Sequence, residues 1–455
     1  MLKFINNCLL PFRSCFSRQA TFEWFVVIVI GFMLRSDHLG VTSVIRDLSL
    51  NGRCYETLIH FFRSSAWSSS SLRQMWLQVV RRSAPLLVIR DRVVLVGDGM
   101  KAAKEARRMP GVKKLHQESE TVSKGDYIFG HLFGAIGILV GDSRKWFCLP
   151  LFINLQDGIQ TILGWKKADT DPEPPSHVVQ MIEQGFEAAK GFGQALLLLD
   201  RYFLSVPALQ RLQACHSDSE ARMHLVTKAK SNAVAYEHPT AKKPGRGRPA
   251  KKGKAVKLRE LFATRAADFQ TALVPLYGKE EKVQFLVLDL LWGQELRFVL
   301  VVHQGRCSIL VSTDLTLAAT DIIRLYGYRF WSKSMPKLNR FLKKNEAHPL
   351  EAVQNEQDRR RIEQTIQAIE GFVMCRCIAM GLLQLIALRF SSRTPGLFFR
   401  YLRTPSHAIV SEATVAAYLR KSIFRMFVQN PHLHITKIIK SKQDTFHFDE
   451  DSLAS

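Results

Sequence analysis

Two aspartates stand where acidic side chains can do phosphodiester chemistry. Asp98 lies just beyond the β-branched run Val93 to Val96, in the sequence Val-Gly-Asp-Gly-Met, and Asp200 directly follows the continuous apolar run Ala195 to Leu199. An apolar run ending in a carboxylate is the pattern of a buried strand that opens at the edge of a sheet, and in open α/β sheets ligands bind beyond such ends. Two carboxylates on adjacent strands can bridge a pair of Mg²⁺ (or Mn²⁺) ions about 3.5–4 Å apart, which activate a water or 3′-hydroxyl and stabilise the leaving oxygen. Each aspartate taken singly suits a simpler role better, capping a helix or turn with its side-chain oxygen.

The surrounding pattern predicts elements able to hold such a pair. Val93 to Val96, Tyr127 to Val140 and Trp146 to Leu155 read as three strands, the last two joined by a Gly141-Asp142 hairpin signature. Helical spacing follows in Val178 to Lys190, then the strand Ala195 to Leu199, a helix over Val206 to Ala214 and a strand over Met223 to Thr227. Residues 87–230 therefore form the first part of an α/β core. Ahead of it, residues 1–86 read as an N-terminal helical domain, with apolar positions at Ile45, Leu48, Tyr55, Leu58, Ile59 and Phe62 and a break at Asn51-Gly52. Two short helices around a tight turn suit either a DNA-reading helix-turn-helix or a plain bundle. The Ser-rich strip Ser64, Ser65 and Ser68 to Ser71 is expected to interrupt the next helix.

Residues 231–315 read as a basic arm and a β-rich insertion. Lys242 to Arg259 carries nine basic residues and no acidic one, and Pro244, Gly245, Gly247, Pro249 and Gly253 predict an exposed loop without regular structure. Residues 316–455 read as a remaining core helix and C-terminal helices, one of them long and beginning near Leu350.

With 455 residues, 47% of them hydrophobic, there is ample material for a core, and a formal charge of +24 calls for an anionic partner. Nucleic acid is the first candidate and a membrane surface the second. The eight cysteines show no CxxC pair and no matching histidine spacing, which argues against a zinc module or a disulfide framework and fits a reducing compartment. Trp24 to Leu34 is apolar for eleven residues, short of the roughly 20 a bilayer requires. Gly371 to Leu388 contains Arg376 and Gln384. Both are expected to be buried helices of a soluble, cytoplasmic protein with no membrane partner.

Several long segments, in order, resemble insertion-sequence transposases of the DDE superfamily: VLVGDGMKAAKEARRMPGVKKLHQESET, GHLFGAIGILVG, LLLLDRYFLS, LVTKAKSNAVAYEHP and LVSTDLTLAATDIIRLYGYRF. The resemblance runs from about Thr21 to Arg403. It implies an RNase H-like core split by a β-rich insertion between its fifth strand and last helix, and transfer of double-stranded DNA, at transposon ends and target, by two Mg²⁺ ions. Asp98 and Asp200 match the first and second catalytic, metal-binding aspartates. A nucleoid-associated protein, with a homodimer on DNA as one arrangement, follows from the same resemblance.

The third acid departs from the family. Related transposases carry Tyr, two residues, Arg, three residues, Glu, six residues, Lys on one helix; here Tyr326 and Arg329 match, but Lys333 stands at the glutamate position and Arg340 at the lysine. Substitution and loss of a stretch between Tyr328 and Trp331 both account for this, and Pro336, which would break the helix before Arg340, favours the loss. Glu346 and Glu351 lie too far along to substitute. The chain is thus expected to be an impaired enzyme or, alternatively, a non-catalytic DNA-binding remnant or regulator. DNA contacts are expected from Tyr326, Arg329 and Lys333, and from the arm: Arg246 and Arg248 in an AT-hook-like Gly-Arg-Gly-Arg-Pro, with Lys251, Lys252 and Lys254. For Tyr326 and Arg329, helix packing with a surface ion pair is the competing reading. His116 and His131 read as satisfied polar or core histidines.

Overall fold

The computed structural model describes residues 1–35, 37, 40–103, 109–116, 127–142, 145–156, 176–239, 250–276, 278–329, 356–394 and 409–443. Five helices open the chain: α1 (Leu2–Leu9), α2 (Gln19–Leu34), α3 (Val41–Asp47), α4 (Cys54–Arg63) and α5 (Ser69–Ser83). From Trp24 onward α2 is apolar all round and every residue from Phe25 to Leu34 is buried, as a helical stretch with no polar face must be. The serine strip does not interrupt α5. Ser68 accepts from the Ser71 amide, so the serines begin the helix, because a hydroxyl at that position satisfies an otherwise unpaired N–H.

The strands are β1 (Val88–Ile89), β2 (Arg92–Ala103), β3 (Lys113–His116), β4 (Tyr127–Asp142), β5 (Lys145–Leu155), β6 (Gln194–Leu198) and β7 (Arg222–Lys228), then β8 (Val234–Tyr236), β9 (Ala255–Lys257), β10 (Gln270–Leu276), β11 (Lys279–Trp292), β12 (Gln294–His303) and β13 (Arg306–Ser312). Between them stand α6 (His177–Lys190), α7 (Val206–Ser217) and the single turn α8 (Leu261–Thr264); α9 (Ala319–Tyr328), α10 (Glu356–Phe390), α11 (Glu412–Gln429) and α12 (His434–Lys440) follow. All the strands belong to one mixed sheet. Its main path is β3-β4-β2-β6-β7-β13-β12-β11-β8-β9, with β5 also on β4, β1 on β2 and β10 on β11. β4 runs antiparallel to both β2 and β5, and β6 and β7 lie parallel to β2. The β-rich insertion extends this sheet, because β13 pairs antiparallel with β7.

Two expectations need correction. β2 does not stop at Val96 but runs on through Gly-Asp-Gly to Ala103, since its long neighbour β4 supplies partners as far as Ala103↔Gly130. The basic segment is not free of regular structure throughout: once Pro249 and Gly253 are passed, Ala255–Lys257 pairs with Val234–Tyr236.

Period-two alternation sorts the central strands onto two cores. Val93, Leu95, Ala195, Leu197 and Leu199 share a core with Met181 and Ile182 of α6, and that core continues through α1–α5 to α10, α11 and α12. Val94, Val96, Met100, Leu196 and Leu198 face the other way, against Ile322, Ile323 and Leu325 of α9. α10 passes close to the N-terminal helices. A Cβ on Gly381 would lie 2.3 Å from the Trp76 ring, and the Trp76 indole donates to the Pro150 carbonyl at 2.9 Å, so helix, indole and β5 close together only around a glycine. Among the described residues one helix, within Arg360–Arg393, is long and apolar enough to cross a membrane, and 83% of its apolar window is buried inside the protein. Arg376 on that helix lies over the rings of Phe32 and Phe372 at 5.5 and 5.6 Å. Burial first, and the charge of Arg35 second, lower its pKa to about 9. The eight cysteines are free thiols.

Candidate active site

The site is built where two strands part. β2 and β6 pair in parallel up to Val96↔Leu198, after which β6 ends and the chain turns through Arg201–Phe203, while β2 continues along β4 with Asp98 opposite Ala135. Asp98 and Asp200 each stand two residues beyond that last pair, at the same level. Both extend the alternating row that faces α9, Val94-Val96-Asp98 on one strand and Leu196-Leu198-Asp200 on the other. Gly97 permits the approach: a Cβ there would lie 2.5 Å from the Leu199 side chain.

Asp200 uses one carboxylate oxygen as a cap, accepting from the Arg201 amide at 2.7 Å. The other oxygen, Oδ2, is left to face Arg329, so the cap does not take up the whole carboxylate. The Asp98 and Asp200 side chains are 27% and 42% exposed, open enough for a ligand to reach them. The reach of the Asp98 charge is felt at Cys148, whose thiol is pushed up by burial and further by that carboxylate.

A third side chain comes from far along the chain. Arg329, at the end of α9, brings Nη2 to 3.3 Å from Asp200 Oδ2 and 3.9 Å from Asp98 Oδ1. Its Nε is buried and finds no hydrogen-bond partner among the described residues. α9 is held at its other end: Asp321 accepts from Arg90 at 3.2 Å, and Arg90 also donates to the Thr316 carbonyl at 3.2 Å. From that anchor the helix rises about 12 Å over the eight residues to Arg329 and delivers it to the level of the aspartates.

Among the described residues no third Asp, Glu, His or Cys joins the pair in a metal-binding group. Lys333, Pro336, Arg340, Glu346 and Glu351 lie outside the described residues, as do Arg246 and Arg248. Tyr326 is half-buried and packs against the core under α9. Lys251, Lys252 and Lys254 are exposed, and Lys252 Nζ lies 4.4 Å from the centre of the Tyr236 ring. They belong to the β8–β9 hairpin, five strands from β6 along the sheet, or about 24 Å at ~4.8 Å per strand, and do not join the aspartates. His131 is buried and hydrogen-bonded to the Pro110 carbonyl at 2.8 Å, while His116 is exposed. One aromatic escaped notice in the sequence. Tyr202, 53% exposed, stacks on His177 with ring centres 5.0 Å apart, two residues from Asp200; an aromatic so close after a candidate acid was the available signal.

A family model described as DDE superfamily endonuclease matches residues 11–275, more than half of the 455-residue chain, and the match takes in both aspartates and the strands that carry them. The chain belongs to the DDE superfamily of endonucleases. No curated protein and no solved structure matches it. DDE membership supports a transposase-like nuclease function with DNA as the substrate class, and nucleases of this superfamily typically use divalent metals. The aspartates are the hard oxygen donors that Mg²⁺ prefers. The described residues nevertheless do not fit two ions, because two carboxylates leave the charge of such a pair unbalanced and a guanidinium already lies against both.

Proposed function

We propose that this chain is a transposase-family protein that binds double-stranded DNA, with Asp98 and Asp200 as the surviving acids of a site for phosphodiester hydrolysis and strand transfer, and with catalysis impaired. The observation that carries the reading is the pairing of the two acids at one level on adjacent parallel strands, facing one helix end. The order of elements supports an RNase H-like core: five strands β2, β4, β5, β6 and β7 come first, then the insertion β8–β13, then α9, which is where the resemblance puts an interruption. In this reading residues 1–86, 87–230, 231–315 and 316–455 are the helical, core, insertion and returning parts of one nuclease. Lys251, Lys252 and Lys254, with Arg246 and Arg248, hold DNA phosphates and a narrow minor groove away from the acids; Arg329, Tyr326 and Lys333 meet the backbone near the cut.

The second reading, a DNA-binding remnant or regulator, is favoured by the want of a third acid beside Asp98 and Asp200 among the described residues. The two readings separate in one assay. Purified protein is incubated with duplex carrying the transposon ends and Mg²⁺ or Mn²⁺, and binding and cleavage are followed together. Retained binding with little or no cleavage is expected; vigorous metal-dependent end cleavage would overturn the impairment.

A further inference from the structure

We propose that Arg329 is a built-in counter-cation for Asp98 and Asp200, and that DNA phosphate must draw it away before a divalent ion can settle there, so that DNA and metal are taken up cooperatively. The proposal rests on reading the aspartate pair as a nuclease site.

Two carboxylates at one level on neighbouring strands repel each other, and in this chain the cation between them is supplied by the protein. Arg329 Nη2 lies within 3.3 Å of Asp200 and 3.9 Å of Asp98. A divalent ion would need the same oxygens at about 2.0–2.1 Å, leaving the guanidinium a few ångströms from a like charge. Metal and Arg329 therefore compete for one place. Three features make the arginine displaceable. Its partners are 27% and 42% exposed, so the ion pair is screened and weak. A guanidinium is a planar fork suited to a phosphate held through two donors; here Nη2 meets single oxygens while Nε is buried without a hydrogen-bond partner among the described residues. The base of α9 is tied to Arg90, so the change asked for is a swing of one long side chain at a helix end and not a movement of the helix.

A coupling of this kind is reciprocal: the factor by which DNA tightens the metal is the factor by which the metal tightens DNA. Because Arg329 would meet phosphate and not bases, a mixed-sequence duplex suffices as probe. Free Mn²⁺ is followed by electron paramagnetic resonance during titration of the full chain, with and without duplex, the ions held by duplex alone being subtracted. Wild type should bind Mn²⁺ weakly, and duplex should tighten it about tenfold, the scale of a typical inter-site coupling. Arg329→Ala should bind Mn²⁺ about tenfold more tightly without DNA and lose the further gain when duplex is added. Arg329→Gln, which keeps the size and removes the charge, should behave like Arg329→Ala; far-ultraviolet circular dichroism verifies that both are folded. If Asp98→Asn weakens Mn²⁺ binding while both Arg329 variants match wild type, the counter-cation role is overturned and the metal site stands. If neither Asp98→Asn nor Asp200→Asn alters Mn²⁺ binding, the site reading itself fails and takes this proposal with it.

Discussion

β2 carries an arginine–aspartate cluster near each end of its central pairing, with one Asp in the first and two in the second, and the two differ in burial and in how fully their oxygens are used. At the beginning, Arg92 pairs with Asp314, whose side chain is 3% exposed, and the second Asp314 oxygen accepts from the Thr316 amide and hydroxyl at 2.8 and 2.7 Å. Six residues on, Asp98 and Asp200 share Arg329 across longer distances with far more exposure. Burial opposes the Asp314 charge, but the Thr316 hydrogen bonds and the fields of His224 and Arg92 outweigh it and hold the carboxyl below its ordinary range. A saturated, dry ion pair cannot exchange partners without leaving a charge stranded, whereas a half-open one with donors to spare can. The same chemistry thus serves to lock the loop ahead of α9 in one place and to keep a site available in the other.

Deleting each arginine should separate the two clusters most strongly. Arg92→Ala leaves Asp314 buried and unpaired, and should cost about 3–5 kcal/mol of stability in urea unfolding. Arg329→Ala should change stability by less than about 1 kcal/mol. Equal losses would mean that both clusters are structural.

Acid should separate the clusters as well, with a smaller effect. The Asp314 pKa is depressed on folding, so its contribution is fully present above the ordinary carboxylate pKa and is lost as pH falls through the lowered folded value. The melting temperature of wild type should therefore fall across that acidic window. In Asp314→Asn, already less stable at neutral pH, the same window should show a flatter decline; an unchanged slope would remove Asp314 from the acid response.

DNA binding supplies the mildest test. Changing Lys251, Lys252 and Lys254 together to Ala should reduce the slope of log K against log salt by about 2–3, and Arg329→Ala by about 1, at ~0.9 per phosphate contact. Arg92→Ala, measured where it remains folded, should leave the slope alone, since its charge is already spent on Asp314. A slope change there would show that the buried cluster also faces DNA.

What the sequence determined by itself was local. The β4–β5 hairpin, whose strands run on through Gly141-Asp142, the buried run ending at Asp200, α6 and the two apolar helices were legible because turn chemistry, period-two alternation and unbroken hydrophobicity act between near neighbours. The two acids were legible for the same reason, each following its own strand. Tertiary structure decided the rest. β2 runs past Gly97 and Gly99 only because β4 lies alongside it, Ala255–Lys257 is a strand only because β8 is there to pair with, and β13 joins the insertion to the core across an edge that no local pattern marks. Arg329 meets Asp98 and Asp200 because α9 runs along one face of the sheet, from Arg90 just before β2 to the level of the two acids. Side chains more than a hundred residues apart find each other through strand order and helix length, and those are settled by how all the elements bury their apolar faces together.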